Sequence, residues 1–145
     1  MTETVETETW ETISYTADVV YIRGTDVLMV VRGDAPYEGQ LALPGGGVDR
    51  GETSRAAGAR ELLEETGVVV DPADLVLVGV YDRPDRDPRG RVVTAAYMVI
   101  VEDDTATRAG DDAAAVQWVP LATPGDLAFD HNEIVADALR QPITR

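Results

Sequence analysis

Glu61, Glu64 and Glu65 fall within five consecutive positions of RELLEETGV (60–68), and no basic residue stands four positions along to relieve them. On a helix, at 100° per residue, Glu64 and Glu65 lie at about −60° and +40° from Glu61, so the three carboxylates share one face. Like charges so placed cost a few tenths of a kcal/mol per pair in water, and more once desolvated. A solvated acidic face is the plain alternative, but Ala56, Ala59, Leu62 and Leu63 on the other side argue for a docked helix. Three consecutive glycines, Gly45 to Gly47, precede it and offer a backbone that a ligand can approach closely. Clustered carboxylates beside such a backbone suit Mg²⁺ or Mn²⁺, which take oxygen ligands, keep some water and bridge to phosphate groups.

The elements that must hold these groups follow from the hydrophobic pattern. Residues 53–66 read as a helix, with Thr53 or Ser54 as the cap and Gly67 as the left-handed residue closing it. The β-branched runs 13–22 and 26–33, separated by Gly24-Thr25, read as two strands and a tight turn. The segment APYEGQLALPGGG reads as loop with a brief strand at 41–43, and three further strands are expected at 75–82, 91–101 and 114–121. A terminal amphipathic helix begins at Asp130, which has Glu133 at capping-box spacing. Many strands with two irregularly placed helices predict an α+β fold, a mixed sheet sandwiched between helices as α/β/α. Residues 1–12, alternating Thr and Glu, read as a flexible acidic lead-in, and 13–145 as a single domain.

Composition narrows the chemistry. The net charge of −15 opposes binding to nucleic acid, and zero cysteines exclude disulfides and thiol chemistry. No apolar run is long enough to span a membrane, and the polar N-terminus is unlike a targeting peptide, so the cytoplasm is the expected compartment. All twelve basic residues are arginine, which removes lysine-based catalysis and the lysine of phosphate loops. A polyanionic ligand must therefore be held by arginine and metal. Four arginines crowd into RPDRDPRGR (83–91), a loop or hairpin whose plain reading is a set of salt bridges with Asp82, Asp85 and Asp87.

At residues 46–68 the chain resembles the Nudix box. Gly46, Glu52, Arg60, Glu61, Leu62, Glu64, Glu65, Gly67 and Val68 occupy every fixed position of that motif, and the flanks LALPGGGVDRGE and VQWVPL are similar to the family as well. The resemblance spans roughly 13–140. It implies a Nudix fold, and an enzyme that uses metal and water to cleave the diphosphate of a nucleoside diphosphate linked to another group. It further implies that Glu64 and Glu65 are the main metal ligands, with Gly45 also counted at the metal, and that Glu61 is a further ligand or the base that deprotonates water. Arg60 would orient a glutamate and Glu52 would support the site. The base of some members lies outside the box, on a carboxylate six residues before a late tryptophan. Here that count reaches Asp112, whose plain reading is a turn cap, and 102–104 is a second acidic candidate.

DPRGRVVTAAYMVIV and LAFDHNEIVADAL are similar to the branch holding bacterial ADP-ribose pyrophosphatases and the sensor domains of NAD-metabolism regulators. By that likeness Arg89 or Arg91 contacts the diphosphate or a ribose, and Arg32 and Gly46 join the substrate site. The chain departs from the branch at Leu41 and Gly47, where relatives often carry aromatic residues, leaving Tyr37 as the nearest surface on which a base could stack. His131 reads as a structural residue at the start of the last helix, and Trp118 and Phe129 as core. The favoured substrate is ADP-ribose or a related nucleotide sugar. A nucleotide-pool sanitising hydrolase of 8-oxo-dGTP or other triphosphates and a non-catalytic nucleotide sensor are the alternatives. A homodimer is compatible with the family, while the partner the resemblance implies is a nucleotide-derived small molecule.

Overall fold

The computed structural model describes residues 9–102 and 115–142. Its centre is a parallel pair, β1 (Ser14–Arg23) and β6 (Val92–Val101), in register from Ser14↔Val92 to Arg23↔Val101. The ADVVYI run of β1 is buried on both faces, as a strand between two covering layers must be. Its side chains alternate between them. Val19 and Tyr21 join Ala95 and Tyr97 of β6 under α1 (Ser54–Thr66), through Ala59 and Leu62. Val20 and Ile22 join Ala96 and Met98 under α2 (His131–Leu139), through Ile134, Val135 and Ala138. The α/β/α sandwich expected from the sequence is the architecture found. On α1 the buried side is Ala57, Gly58, Ala59, Leu62 and Thr66; Leu63 is instead 47% exposed.

At the far edge β5 (Val76–Tyr81) pairs antiparallel with β6, after a short 3₁₀ turn at Pro72–Asp74. On the other side β2 (Asp26–Val31) forms a hairpin with β1, yet only Ile22↔Val27 and Arg23↔Asp26 pair. Beyond these two positions the strands part. β2 takes β3 (Leu41–Ala42) on that edge and β7 (Val116–Pro120) on its other edge. β1 takes β4 (Gly45–Gly47), with Pro44 bridging through its carbonyl to the Val19 N–H at 2.9 Å. The diverging strands open the wedge in which the site lies. Reading the three glycines as loop is thus corrected, since they form a strand. Their composition hides it, because Gly45 and Gly46 are selected by close contacts that a pattern of propensities does not register.

Both helix ends of α1 are as the sequence predicts. Thr53 accepts from the Ala56 N–H, and Gly67 adopts φ 76°, a conformation glycine enters freely, while its N–H closes on the Leu63 carbonyl. The capping box of α2 does not form. The Asp130 side chain makes no cap bond because Arg86 takes both its oxygens, and Glu133 reaches out to Arg83 at 3.2 Å. Among the described residues no helix is long and apolar enough to cross a membrane.

Candidate active site

The glutamate helix docks Glu61 and Glu65 against the glycine strand. A Cβ placed on Gly46 would lie 2.5 Å from the Glu61 carboxyl carbon, and one on Gly45 would strike the Ala17 carbonyl and the Asp18 carboxylate. Only hydrogen allows β4 this close to both β1 and α1. The Gly45 N–H donates to Glu65 Oε1 at 3.2 Å. Glu61 and Glu65 come within hydrogen-bonding reach of one another, and Glu65, half-buried, has its carboxyl pushed up to about 8. Burial is the main cause; the Gly45 N–H opposes it, and the charges of Glu61 and Asp18 add to it.

Arg60 organises the other side of the cluster. Its Nε and Nη2 clasp the two oxygens of Glu52 at 2.9 Å each, Nη1 donates to Glu61 at 2.7 Å, and Nη2 also reaches the Gly47 carbonyl at 2.8 Å. A planar fork held at this many points leaves Glu61 little freedom. The bonds to Glu52 and then Glu61 hold the guanidinium charged well beyond its ordinary range. In return the Glu52 carboxyl is held down to about 2, chiefly by Arg60 and then by the Asp49 N–H. Glu64 stands apart, its side chain 57% exposed and 3.4 Å from Arg60.

Among the described residues no three acidic or histidine side chains close around one point. What converges is the pair Glu61 and Glu65, where burial, with the neighbouring negative charges adding to it, has raised one of them. An open two-carboxylate site of this kind fits a cation that keeps several waters, as Mg²⁺ and Mn²⁺ do. Glu61 and Glu65 would hold it, and Glu64 lies one turn away on the open side.

The cleft beside this cluster is walled by Thr16 and Asp18 of β1, Val30 and Arg32 at the end of β2, Gly45, Gly46 and Glu65, and by Arg86, Asp87, Arg89, Phe129 and His131. The end of β5 and the 82–91 loop are tied to α2 and its N-cap: Tyr81 donates to Asp137 at 2.6 Å, Arg83 pairs with Glu133, and Arg86 forks onto Asp130 at 2.7 and 2.9 Å. Arg86 and Asp130 are both almost wholly buried. Burial disfavours the guanidinium charge, but the bonds to Asp130 outweigh it and its pKa stays raised. Arg89 then lies on Asp87 at 2.8 Å, with its guanidinium at the cleft. On the floor, Asp18 accepts from Thr94 at 2.6 Å and lies 3.9 Å from His131 Nε2. His131 accepts the Leu43 N–H on Nδ1 at 3.0 Å, and burial lowers its pKa, so the imidazole stays neutral.

The fold thus gathers Gly45, Gly46, Glu52, Arg60, Glu61 and Glu65 in one cluster, with Glu64 at its open edge and Arg32 and Arg89 in the neighbouring cleft. Arg91 is not brought there. It pairs with Glu11 at 3.3 Å, because its carbonyl accepts the Ser14 N–H and ties it to the start of β1. Tyr37 stands at the rim, its ring edge-on to Phe129 at 4.8 Å. Asp112 and positions 103–104 lie outside the described residues. Phe129, read from the sequence as core, is a wall of the cleft, with Arg32 and Arg89 over its ring. Asp18 and Arg86 were not anticipated. A carboxylate inside the apolar run of β1 is the signal that points to Asp18, whereas nothing local separates Arg86 from the arginines around it.

Comparison with known proteins agrees with this geometry. A family profile described as NUDIX domain matches residues 13–139. An ADP-ribose pyrophosphatase of Methanocaldococcus jannaschii is 40% identical over 85% of this chain and 71% of its own length. The crystal structure of a MutT/nudix family protein from Enterococcus faecalis superposes with a TM-score of 0.76 at 34% identity, over 92% of this chain; the chain spans 63% of that protein. The NUDIX domain of Shewanella oneidensis NrtR, solved in complex with ADP ribose, superposes with a TM-score of 0.75 at 26% identity, over 96% of this chain and 97% of that domain. With the glycine strand, the glutamate helix and the cleft all in place, the chain belongs to the Nudix family, whose hydrolases depend on a divalent metal ion.

Proposed function

We propose that the protein hydrolyses the diphosphate of ADP-ribose to AMP and ribose 5-phosphate, with Mg²⁺ as the working ion and Mn²⁺ able to replace it. The observation that carries this reading is one cleft with the α1 carboxylate of Glu65 at one end, bonded to the glycine strand and beside Glu61, and the guanidinium groups of Arg32 and Arg89 in its wall. The similarity to an ADP-ribose pyrophosphatase and to an ADP ribose-bound domain supports the choice of nucleotide sugar. Residues 13–145 are taken as the domain that does this, working in the cytoplasm.

When bound at Glu61 and Glu65, the cation neutralises charge on the diphosphate and acidifies water. The chain's own residues do the rest. Arg32 and Arg89 hold the phosphates, and Arg60 fixes the orientation of Glu61 while Glu52 fixes Arg60. The oxygen of a water forms a bond to one phosphorus, the bond from that phosphorus to the bridging oxygen breaks, and the departing monophosphate keeps the electron pair. A carboxylate oxygen of the glutamate cluster takes the proton of the water.

The test is product analysis with Mg²⁺ or Mn²⁺ over ADP-ribose, NADH, a dinucleoside polyphosphate, dGTP and 8-oxo-dGTP, with Glu65→Gln as the control for contaminating activity. AMP and ribose 5-phosphate formed from ADP-ribose, and absent with Glu65→Gln, is the expected result. Pyrophosphate released from a triphosphate, with ADP-ribose untouched, would replace this reading by a pool-sanitising one. Tight binding of ADP-ribose without turnover would replace it by a sensor.

A further inference from the structure

Phe129 is the one phenylalanine of the chain, and it holds φ at 53°, in the left-handed region that residues other than glycine seldom enter. The chain on either side imposes this. Ala128 is tied by its N–H to the Leu41 carbonyl at 2.8 Å, and Asp130 is locked in the buried fork of Arg86. Such strain persists where the surroundings over-determine it, and it gathers at functional sites. The other non-glycine residue in this region, among the described residues, is Tyr37 at φ 62°, and its ring is the one that meets Phe129. Two loops distant in sequence each hold an aromatic residue in a left-handed conformation and press the two rings together beside the cleft.

The ring of Phe129 carries two cations. The guanidinium carbon of Arg32 lies 4.8 Å from its centre and that of Arg89 lies 5.6 Å from it. Arg32 gives its Nε to the Pro36 carbonyl at 2.7 Å, and its terminal N–H groups make no hydrogen bond to protein among the described residues. Arg89 commits Nε and Nη2 to Asp87. Two guanidiniums gathered on one small ring repel each other, and the negative face of the ring offsets that cost. A leucine of similar bulk would fill the space without that attraction.

We infer that Phe129 is a positioning residue: its ring holds Arg32 and Arg89 together in the cleft wall so that the pair meets the phosphates of the substrate. The inference rests on the assignment of a phosphoanhydride substrate to this cleft, but not on which one. The strained backbone at Phe129 and Tyr37 fixes the ring, and the ring fixes the arginines. Its effect therefore falls on substrate affinity, and the chemical step at Glu61 and Glu65 is spared.

The experiment is steady-state kinetics on whichever phosphoanhydride the wild-type protein turns over. The variants are Phe129→Leu, Phe129→Tyr, the double Arg32→Met, Arg89→Met variant, and Phe129→Leu added to that double variant. Phe129→Leu should raise KM roughly three- to tenfold with kcat within about twofold, as expected for loss of one to two cation–π contacts. Phe129→Tyr keeps the aromatic face and should restore KM, and Phe129→Leu should add nothing once both arginines are gone. If Phe129→Leu does not fold, Phe129→Met supplies the same comparison. An unchanged KM in the double arginine variant would remove the phosphate-binding assignment itself. A raised KM there with Phe129→Leu neutral, or a full effect of Phe129→Leu without the arginines, would overturn the role given to Phe129.

Discussion

In the metal-free protein Glu65 should behave as a built-in weakness, and removing its charge should strengthen the fold. Its carboxyl titrates near 8 in the native state against an ordinary value of 4.5, mainly through burial, with Glu61 and Asp18 adding to the effect. Between those values the unfolded chain has given up its proton while the native carboxyl keeps it. The unfolded state then binds fewer protons, so stability falls as pH rises through this window. The limiting slope is about 1.4 kcal/mol per pH unit, or roughly 3 kcal/mol by neutrality; Glu65 opens on the water of the cleft, and screening reduces this to about 1–2 kcal/mol. Glu65→Gln has no proton to lose, and its amide oxygen can still accept the Gly45 N–H. In EDTA it should melt higher than wild type by roughly 3–8 °C near neutrality for a chain of this size, with the gap closing below about pH 5 and levelling off at its widest above about pH 8. Saturating Mg²⁺ should reverse the order, because ion binding stabilises the native wild type and the variant has lost a ligand. Differential scanning calorimetry at several pH values reads all of this. A gap independent of pH, or a variant less stable than wild type in alkaline EDTA, would refute the reasoning.

Asp130→Asn leaves the buried Arg86 cation without its counter-charge and should cost about 3–5 kcal/mol in urea unfolding. Replacing both members, Arg86→Met with Asp130→Leu, should regain most of that; equal loss in both variants would show that the charge is not the cause. Gly46→Ala meets only the end of the Glu61 side chain, so it should fold and yet need more metal for half-maximal activity, whereas Gly45→Ala meets the β1 backbone and should fail to fold or melt far lower. Equal melting temperatures for the two would contradict the packing described. Arg60→Met frees Glu61 and should lower kcat roughly tenfold or more at saturating metal, and an unchanged kcat would remove Arg60 from its orienting role. Glu52 is held down to about 2 by Arg60, so what it contributes to stability is present above about pH 4.5 and is lost as pH falls toward 2. Acid titration of Glu52→Gln, followed by circular dichroism, should lack that transition.

The helix of glutamates, with its Thr53 cap and Gly67 stop, was legible from residue order alone; that Glu61 and Glu65 converge while Glu64 stands apart was not. The geometry of the helix is set by 3.6 residues per turn and by backbone bonds within one segment. The strand at 13–22 was legible for the same local reason, whereas its burial on both faces came from the layers that cover it. Tertiary structure decided what lies opposite. Gly45 to Gly47 became a strand because Thr16 to Asp18 stand beside them, and Arg86 turned inward because Asp130, far along the chain, accepts its fork. Phe129 and Arg32 meet only because β1 and β2 part after two pairs and the loop before α2 closes the gap. Spacing along a helix is a property of the chain, whereas a cleft is made by contacts between segments whose encounter no local pattern records.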